Sequence, residues 1–400
     1  VQGALKTYLH HSRSTVLDPF AGVGTTLVEA VLSGHNAVGY EINPYASLVS
    51  QTKLNAYKVD VNLFKKTIEA FIAFMFDAGF SGREPVSEPP KGFSTRSPFY
   101  SPEVLRKVLF VQDFIITIDD QEIRDLFRIA FASTMVTYSN YSYEPSLGRR
   151  VSAGRADVLD HDVAGEMERK LNTMLDDIYW FRNTIPDISV ESKVFNQSFF
   201  EYANFLERES VDVLITSPPY VNNYHYNRNT RPHLYWLGLA EKPKDFVPLE
   251  ERNFGTFWQT VREKPEIPLD FTLPDSDLEE RLATLRELNK EKGIYGGGGW
   301  ANYATVYFND CFRFAQGMEY SLKSGATALV VVGPSILQGV FIPTDLYLGQ
   351  IAKLTGLELV EIHIPRTTRV GNSIIQSDIR VGKADTSKQL YEAVVEIRKS

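Results

Sequence analysis

Cysteine is nearly missing from this sequence. One residue, Cys311, in 400 excludes an internal disulfide framework and any multi-thiolate metal site, and it fits a reducing compartment. The seven histidines show no metal-ligand spacing. His10 and His11 are adjacent, and the Asp-rich stretch DVLDHD (residues 157 to 162) reads as solvated surface, so no metal is expected. No stretch reaches the unbroken apolar length of about 20 residues that a membrane span requires, and VQGALKTYLHH at the start shows no signal peptide, so the expected location is cytoplasmic. Excess positive charge is absent as well. With a formal net charge of -8, any nucleic-acid contact has to come from local basic patches, although acidity alone does not exclude it.

What is present is enough apolar material for a large core: 43% of the residues are hydrophobic, consistent with one elaborated domain or two to three compact units. The first candidate strand begins about 13 residues in, and with no initiating methionine the chain reads as trimmed. From Ser14, STVLDPFAGVGTTLVEAVLSGHNAVGYEINPYA reads as a short strand, a glycine-rich turn, an amphipathic helix over Thr25 to Leu32 and a second strand over Ala37 to Ile42. Residues 44 to 78 read as helical, and 78 to 98 as a linker rich in Gly, Pro and Ser. Two capped helices follow, and a third after a polar, basic loop, which makes 57–187 a mainly helical insertion and a candidate for target recognition. Strands return at Ser192 to Gln197 and Val211 to Thr216. A second insertion occupies 221–299 and closes on the glycine run 296 to 299. Beyond it a long helix, a buried strand, a helix and two final strands complete the pattern of a doubly wound α/β sheet, assembled from 1–56, 188–220 and 300–400. No internal repeat is visible.

In such sheets ligands bind outside the carboxyl ends of the strands. Two strand ends here carry unusual text, DPFAGVGTT and SPPY, and they are expected to share one crevice. Gly22 and Gly24 permit positive φ and close approach of a ligand, and Glu41 at the end of the second strand is placed to bond ribose hydroxyls. The spacing is neither G-x-G-x-x-G nor G-x-x-x-x-G-K-[ST]. Taken alone, the GVG turn is equally compatible with helix–strand packing.

DPFAGVGTT followed by GYEINPYA and then ITSPPY resembles the motifs of the DNA amino-methyltransferases, which modify the exocyclic N4 of cytosine or N6 of adenine. The resemblance covers roughly residues 1 to 56, 190 to 220 and 300 to 400. It implies a Rossmann-like sheet with a terminal antiparallel strand, and S-adenosyl-L-methionine (AdoMet) as cofactor. It assigns Asp18, Pro19, Phe20, Ala21, Gly22, Gly24 and Thr25 to the methionine side of the cofactor, Glu41 to the ribose, and Asn43 or Pro44 to the adenine. Where the family often has an acidic residue near the adenine, VFNQSFF offers Asn196 or Gln197. The family's Pro-Ala-Lys-Phe-like stretch, which completes the cofactor pocket, would fall before or near residue 1 and is not found.

The same resemblance makes Ser217, Pro218, Pro219 and Tyr220 the catalytic corner. An exocyclic amine delocalises its lone pair into the ring and needs hydrogen-bond acceptors to become nucleophilic. Ser217 and the Pro218 carbonyl would supply them, with Tyr220 stacked on a base flipped out of the duplex. Serine at the first position favours N4-cytosine, and N6-adenine is the alternative. Cys311, in mid-helix, reads as core and not as a nucleophile. DNA is the expected partner, through Arg149, Arg150 and Arg155 in the first insertion, Asn222, Asn223, Tyr224, Arg228 and Arg231 after the corner, and Arg366 and Arg369 in a loop before the last strand. Each basic cluster is also readable as a solvated face. A cognate restriction endonuclease is a possible further partner. An RNA base methyltransferase and a non-catalytic nucleic-acid-binding subunit are the competing classes.

Overall fold

The computed structural model describes residues 1–10, 13–143, 147–186, 189–221, 226–366 and 390–400, with the side chains of 226–228 and 366 left aside. The chain divides into two compact units. One comprises 1–42, 189–224 and 248–400, the other 43–188 and 225–247.

The first unit is built on seven strands: β1 (Thr15–Asp18), β2 (Asn36–Tyr40), β3 (Ser192–Phe195), β4 (Val211–Thr216), β5 (Leu322–Val332), β6 (Leu357–Arg366) and β7 (Glu392–Lys399). Their order across the sheet is β6-β7-β5-β4-β1-β2-β3. β1 lies parallel to both β2 and β4, with Val16 opposite Val213 and Leu17 opposite Leu214. β7 runs antiparallel between β5 and β6, the terminal antiparallel strand the sequence implied. The strand order reverses direction between β1 and β4, which makes their carboxyl ends the topological switch point of the sheet. At the opposite end Asp212 ties three strands together: its Oδ2 accepts from Thr15 N at 2.7 Å and its Oδ1 from Lys323 Nζ at 2.7 Å.

Helices α1 (Gln2–Tyr8) and α2 (Thr25–Leu32) belong to this unit. α2 starts on Gly24 in the left-handed region, φ 86°. Its Leu27 lies so near β2 that a Cβ on Gly39 would come within 2.5 Å of Leu27 Cδ1. The glycine run at 296 to 299 proves not to be a break. Three of its residues form the first turn of the helix Gly297–Ser321, and a Cβ on Gly297 would meet the Leu285 carbonyl oxygen at 1.7 Å. Glycine is required there because the helix start abuts the preceding helix, Leu278–Glu287. The long helix is also shorter at its far end than the sequence suggests, since Leu322 already pairs with Val211 in the sheet. Cys311 is buried in that helix among core aromatics.

In the second unit, α3 (Pro44–Leu54), α4 (Val61–Phe80), α5 (Pro102–Ile115), α6 (Gln121–Thr134) and α7 (Val163–Thr184) each begin on a polar residue whose side chain accepts backbone N–H: Asn43, Asp60, Ser101, Asp120 and Asp162. Such caps satisfy otherwise orphan donors and fix where each helix starts. Phe64, Phe71, Phe114 and Phe127 interlock edge to face in the core of these helices. α8 (Tyr226–Trp236) also belongs to this unit, so the stretch read as one second insertion is divided: 225–247 joins the helical unit and 248–299 the sheet unit. Likewise the helical unit starts at Asn43 instead of 57. The reason is visible in the side chains: Asn43 Nδ2 donates to Thr230 Oγ1 at 2.8 Å, and Tyr45 stacks on the His233 ring at 4.5 Å.

His233 is buried, and this desolvation pushes its pKa down to about 4. Between that value and the ordinary 6.5 the unfolded chain binds a proton that the folded ring refuses. Stability from this group is therefore full above about pH 6.5 and falls as the pH drops towards 4, by about 3 kcal/mol in all. In urea titrations we expect the stability difference between the unaltered chain and His233→Gln to shrink by that order between pH 7 and pH 4. A pH-independent difference would contradict the assignment.

Candidate active site

Asp18 ends β1 and is buried; Thr216 ends β4 and is buried beside it. Thr216 donates its hydroxyl to Asp18 Oδ1 at 2.6 Å, and the Phe20 amide donates to the same oxygen at 3.1 Å. Burial raises the pKa of Asp18, and hydrogen bonds from Thr216, Phe20 and Thr26 counteract this. A carboxylate inside a sheet is tolerated only with such donors. One side chain thus fastens the start of the glycine loop to the strand that delivers Ser217.

The loop after Asp18 is then held from β2. Pro19 is buried, and the Ala21 amide donates to the Tyr40 carbonyl at 2.9 Å. The Gly22 amide donates to Glu41 Oε2 at 2.9 Å. Gly22 sits at φ 52°, which favours glycine, and a Cβ built on it would meet nothing within 4 Å. The space beside Gly22 is therefore open. Thr25 is exposed in the first turn of α2.

Asn196, just past β3, donates its side-chain amide to the carbonyls of Glu41 at 2.8 Å and Ile42 at 3.1 Å. It thereby braces the end of β2. Gln197 accepts from Arg252 at 3.3 Å, and the same guanidinium pairs with Glu201 at 3.7 Å. Phe20 meets Phe254 edge to face at 5.1 Å. Residues 252 to 254 thus pack against both the glycine loop and the end of β3, a contact that no motif in the sequence announced.

At the corner, Ser217 is exposed while Pro218 is buried and Pro219 and Tyr220 are half-buried. Among the described residues no hydrogen bond engages the Ser217 hydroxyl or the Pro218 carbonyl, whereas Tyr307 donates to the Pro219 carbonyl at 3.0 Å. Tyr307 was not singled out in the sequence, and its position in a helix full of aromatics gave no local signal.

Of the remaining expected site residues, some belong to the helical unit and some fall outside the described set. Asn43 opens the helical unit, its Oδ1 accepting from Tyr45 N and Ala46 N as the cap of α3. Arg149, Arg150 and Arg155 cluster in that unit around the hairpin Tyr141–Tyr143 with Leu147–Arg149 and the turn after it, where Arg150 Nε donates to the Ala156 carbonyl. Arg231 lies over the Tyr235 ring at 5.7 Å. Arg366 is the last residue of β6 instead of a loop residue, because the strand continues to pair with Glu392 of β7. Arg228 is helical, and its side chain, like that of Arg366, is outside the described set; so are Asn222, Asn223, Tyr224 and Arg369.

Comparison with known proteins finds similarity to DNA methyltransferases. The profile of the N6/N4 DNA methylase family, described as DNA methylase, matches residues 5–51, which include β1, the glycine loop and β2. Type II methyltransferase M.AvaI of Nostoc sp. is 24% identical over 400 residues, covering 92% of this chain and 77% of its own length. M.BsoBI of Geobacillus stearothermophilus is 24% identical, covering 93% and 78%. M.MvaI of Kocuria varians is 23% identical over 229 residues, which is 56% of this chain and half of that protein. A methyltransferase-type sheet, the matched glycine loop and relatives that align along nearly its whole length support the N4/N6 DNA methyltransferase family for this chain.

Proposed function

We propose that this chain transfers a methyl group from AdoMet to the exocyclic N4 amine of a cytosine in DNA, as one enzyme of a type II restriction-modification system. The observation that carries the reading is the pairing of Asp18 with Thr216, which holds the glycine loop and the Ser217 corner at one switch point. The glycine loop between Asp18 and Thr25 suits the cofactor: Gly22, at φ 52°, leaves open space where a side chain would stand, so a ligand can approach the backbone closely. When bound, AdoMet supplies an electrophilic sulfonium methyl. Glu41, already accepting from Gly22, presents its carboxylate on the β2 side, where ribose hydroxyls would be donors. Asn196 holds the backbone that carries Glu41.

The corner's work is on the amine. The Ser217 hydroxyl and the Pro218 carbonyl accept from its two N–H groups, which draws the lone pair out of conjugation and towards a tetrahedral nitrogen. Fixed acceptors do this without reorganising as the reaction proceeds, and the two proline rings limit φ at the corner to about -65°. Tyr220 offers its ring to the flipped base, and stacking worth about 1–3 kcal/mol offsets part of the cost of unpairing it. The serine form of the corner is the basis for choosing cytosine.

The test is incubation with AdoMet and unmethylated DNA of varied sequence, followed by digestion to nucleosides and mass spectrometry. N4-methylcytosine is expected, and it should vanish with Tyr220→Ala; N6-methyladenine would overturn the choice of base, and no methylated base the reading as a whole. Thr216→Val is expected to leave the Asp18 carboxylate short of a donor. Calorimetric titration should then show AdoMet binding weakened about tenfold, with stability lower by about 1–3 kcal/mol. Unchanged affinity would show that the Asp18–Thr216 bond does not shape the cofactor loop.

A further inference from the structure

The two open acceptors at the corner and the one engaged carbonyl beside them are chemically unlike. Pro219 O is tied back by a hydroxyl 88 residues away in the sequence, on the helix Gly297–Ser321. The two proline rings already fix φ at 218 and 219, and each peptide unit is planar, so the corner's remaining freedom is rotation about ψ. A donor on the Pro219 carbonyl removes that freedom at 219. It thereby fixes the plane of the peptide that leads into Tyr220. It also keeps a third carbonyl from swinging towards the amine and competing with the Pro218 carbonyl.

Tyr307 is itself held on every side. Its ring meets Phe254 at 5.1 Å and Phe308 at 5.5 Å, both edge to face. Gly255, at φ 74°, lies against its other edge, where an added Cβ would come within 2.7 Å of Cδ2. Gly255 is in turn anchored by its amide, which donates at 2.8 Å to Oδ2 of Asp310 on the same helix as Tyr307; Asp310 is paired with Arg313 at 3.1 Å. Burial pushes the Tyr307 phenol well above its ordinary pKa, so it stays protonated and remains a donor.

From this arrangement we infer that Tyr307 is a positioning residue for methyl transfer: its hydroxyl pins the Pro219 carbonyl and so sets the angle at which the corner meets the target amine. The inference rests on the function proposed above. Tyr307→Phe removes the hydroxyl and keeps the ring. Its steady-state kinetics are expected to show kcat lower by about ten- to a hundredfold, the range in which small misplacements of reacting groups fall. KM for AdoMet and for DNA should stay within about twofold. Met318→Ala serves as the comparison, since Met318 is buried further along the same helix and is not among the contacts that hold Tyr307; it should lose thermal stability and retain kcat. Equal kcat in the unaltered enzyme and Tyr307→Phe would overturn the inference while leaving the proposed function intact. So would a fall in kcat matched by Met318→Ala at similar stability, which would reduce Tyr307 to packing. Absence of methyl transfer by the unaltered chain would overturn the function, and the inference with it.

Discussion

The bond from Thr216 to Asp18 is the constraint on which the candidate site depends. An unpaired carboxylate buried between strands is unfavourable by several kcal/mol, and the fold surrounds this one with donors from a hydroxyl and a backbone amide. Those donors come from both loops that matter: Phe20 opens the glycine loop and Thr216 immediately precedes Ser217. Satisfying one acid therefore sets the mutual position of two motifs 198 residues apart. Asp212 does similar work at the amino end, so the central strands β1 and β4 are tied at both ends by a carboxylate.

Around that point the supports form a hierarchy. Glu41 holds Gly22, Asn196 holds the carbonyls of Glu41 and Ile42, and Arg252 holds Gln197. Glu41 touches the glycine loop itself, and the other two brace the ends of β2 and β3 behind it, as expected where loops carry function and a rigid sheet positions them. Residues 252 to 255, from an insertion without any recognisable motif, enter this hierarchy twice, through the aromatic contact with Phe20 and through the seat beneath Tyr307.

Much of this was legible in the sequence where the signal is local. The helix over Thr25 to Leu32 follows from its amphipathic period and the glycine before it, and the strand ends at Asp18 and Thr216 follow from short apolar runs stopped by turn residues. Signals that depend on distant packing were not legible. A run of four glycines reads as a break until Leu285 is known to lie 1.7 Å from where a Cβ would be. Asn43 reads as a residue near the adenine of the cofactor, and nothing local shows that its side chain also caps α3 and reaches Thr230. Asn196 reads as standing where the family often has an acidic residue near the adenine, and nothing local shows that its amide donates to the carbonyls of Glu41 and Ile42.

Tyr307 illustrates why the last part of an active site is the hardest to read. The four residues of the corner advertise themselves because prolines and an aromatic in sequence constrain the backbone in a recognisable way. The residue that completes the constraint needs only a ring of the right size and one donor, and the helix that carries it also offers Tyr303, Phe308 and Phe314 as buried aromatics. What separates Tyr307 from the phenylalanines is its hydroxyl, which meets a carbonyl whose neighbours are left open. A corner built to accept hydrogen bonds from a substrate has to keep its own carbonyls from being interchangeable. Proline rings accomplish half of that within the motif, and the other half has to come from outside it.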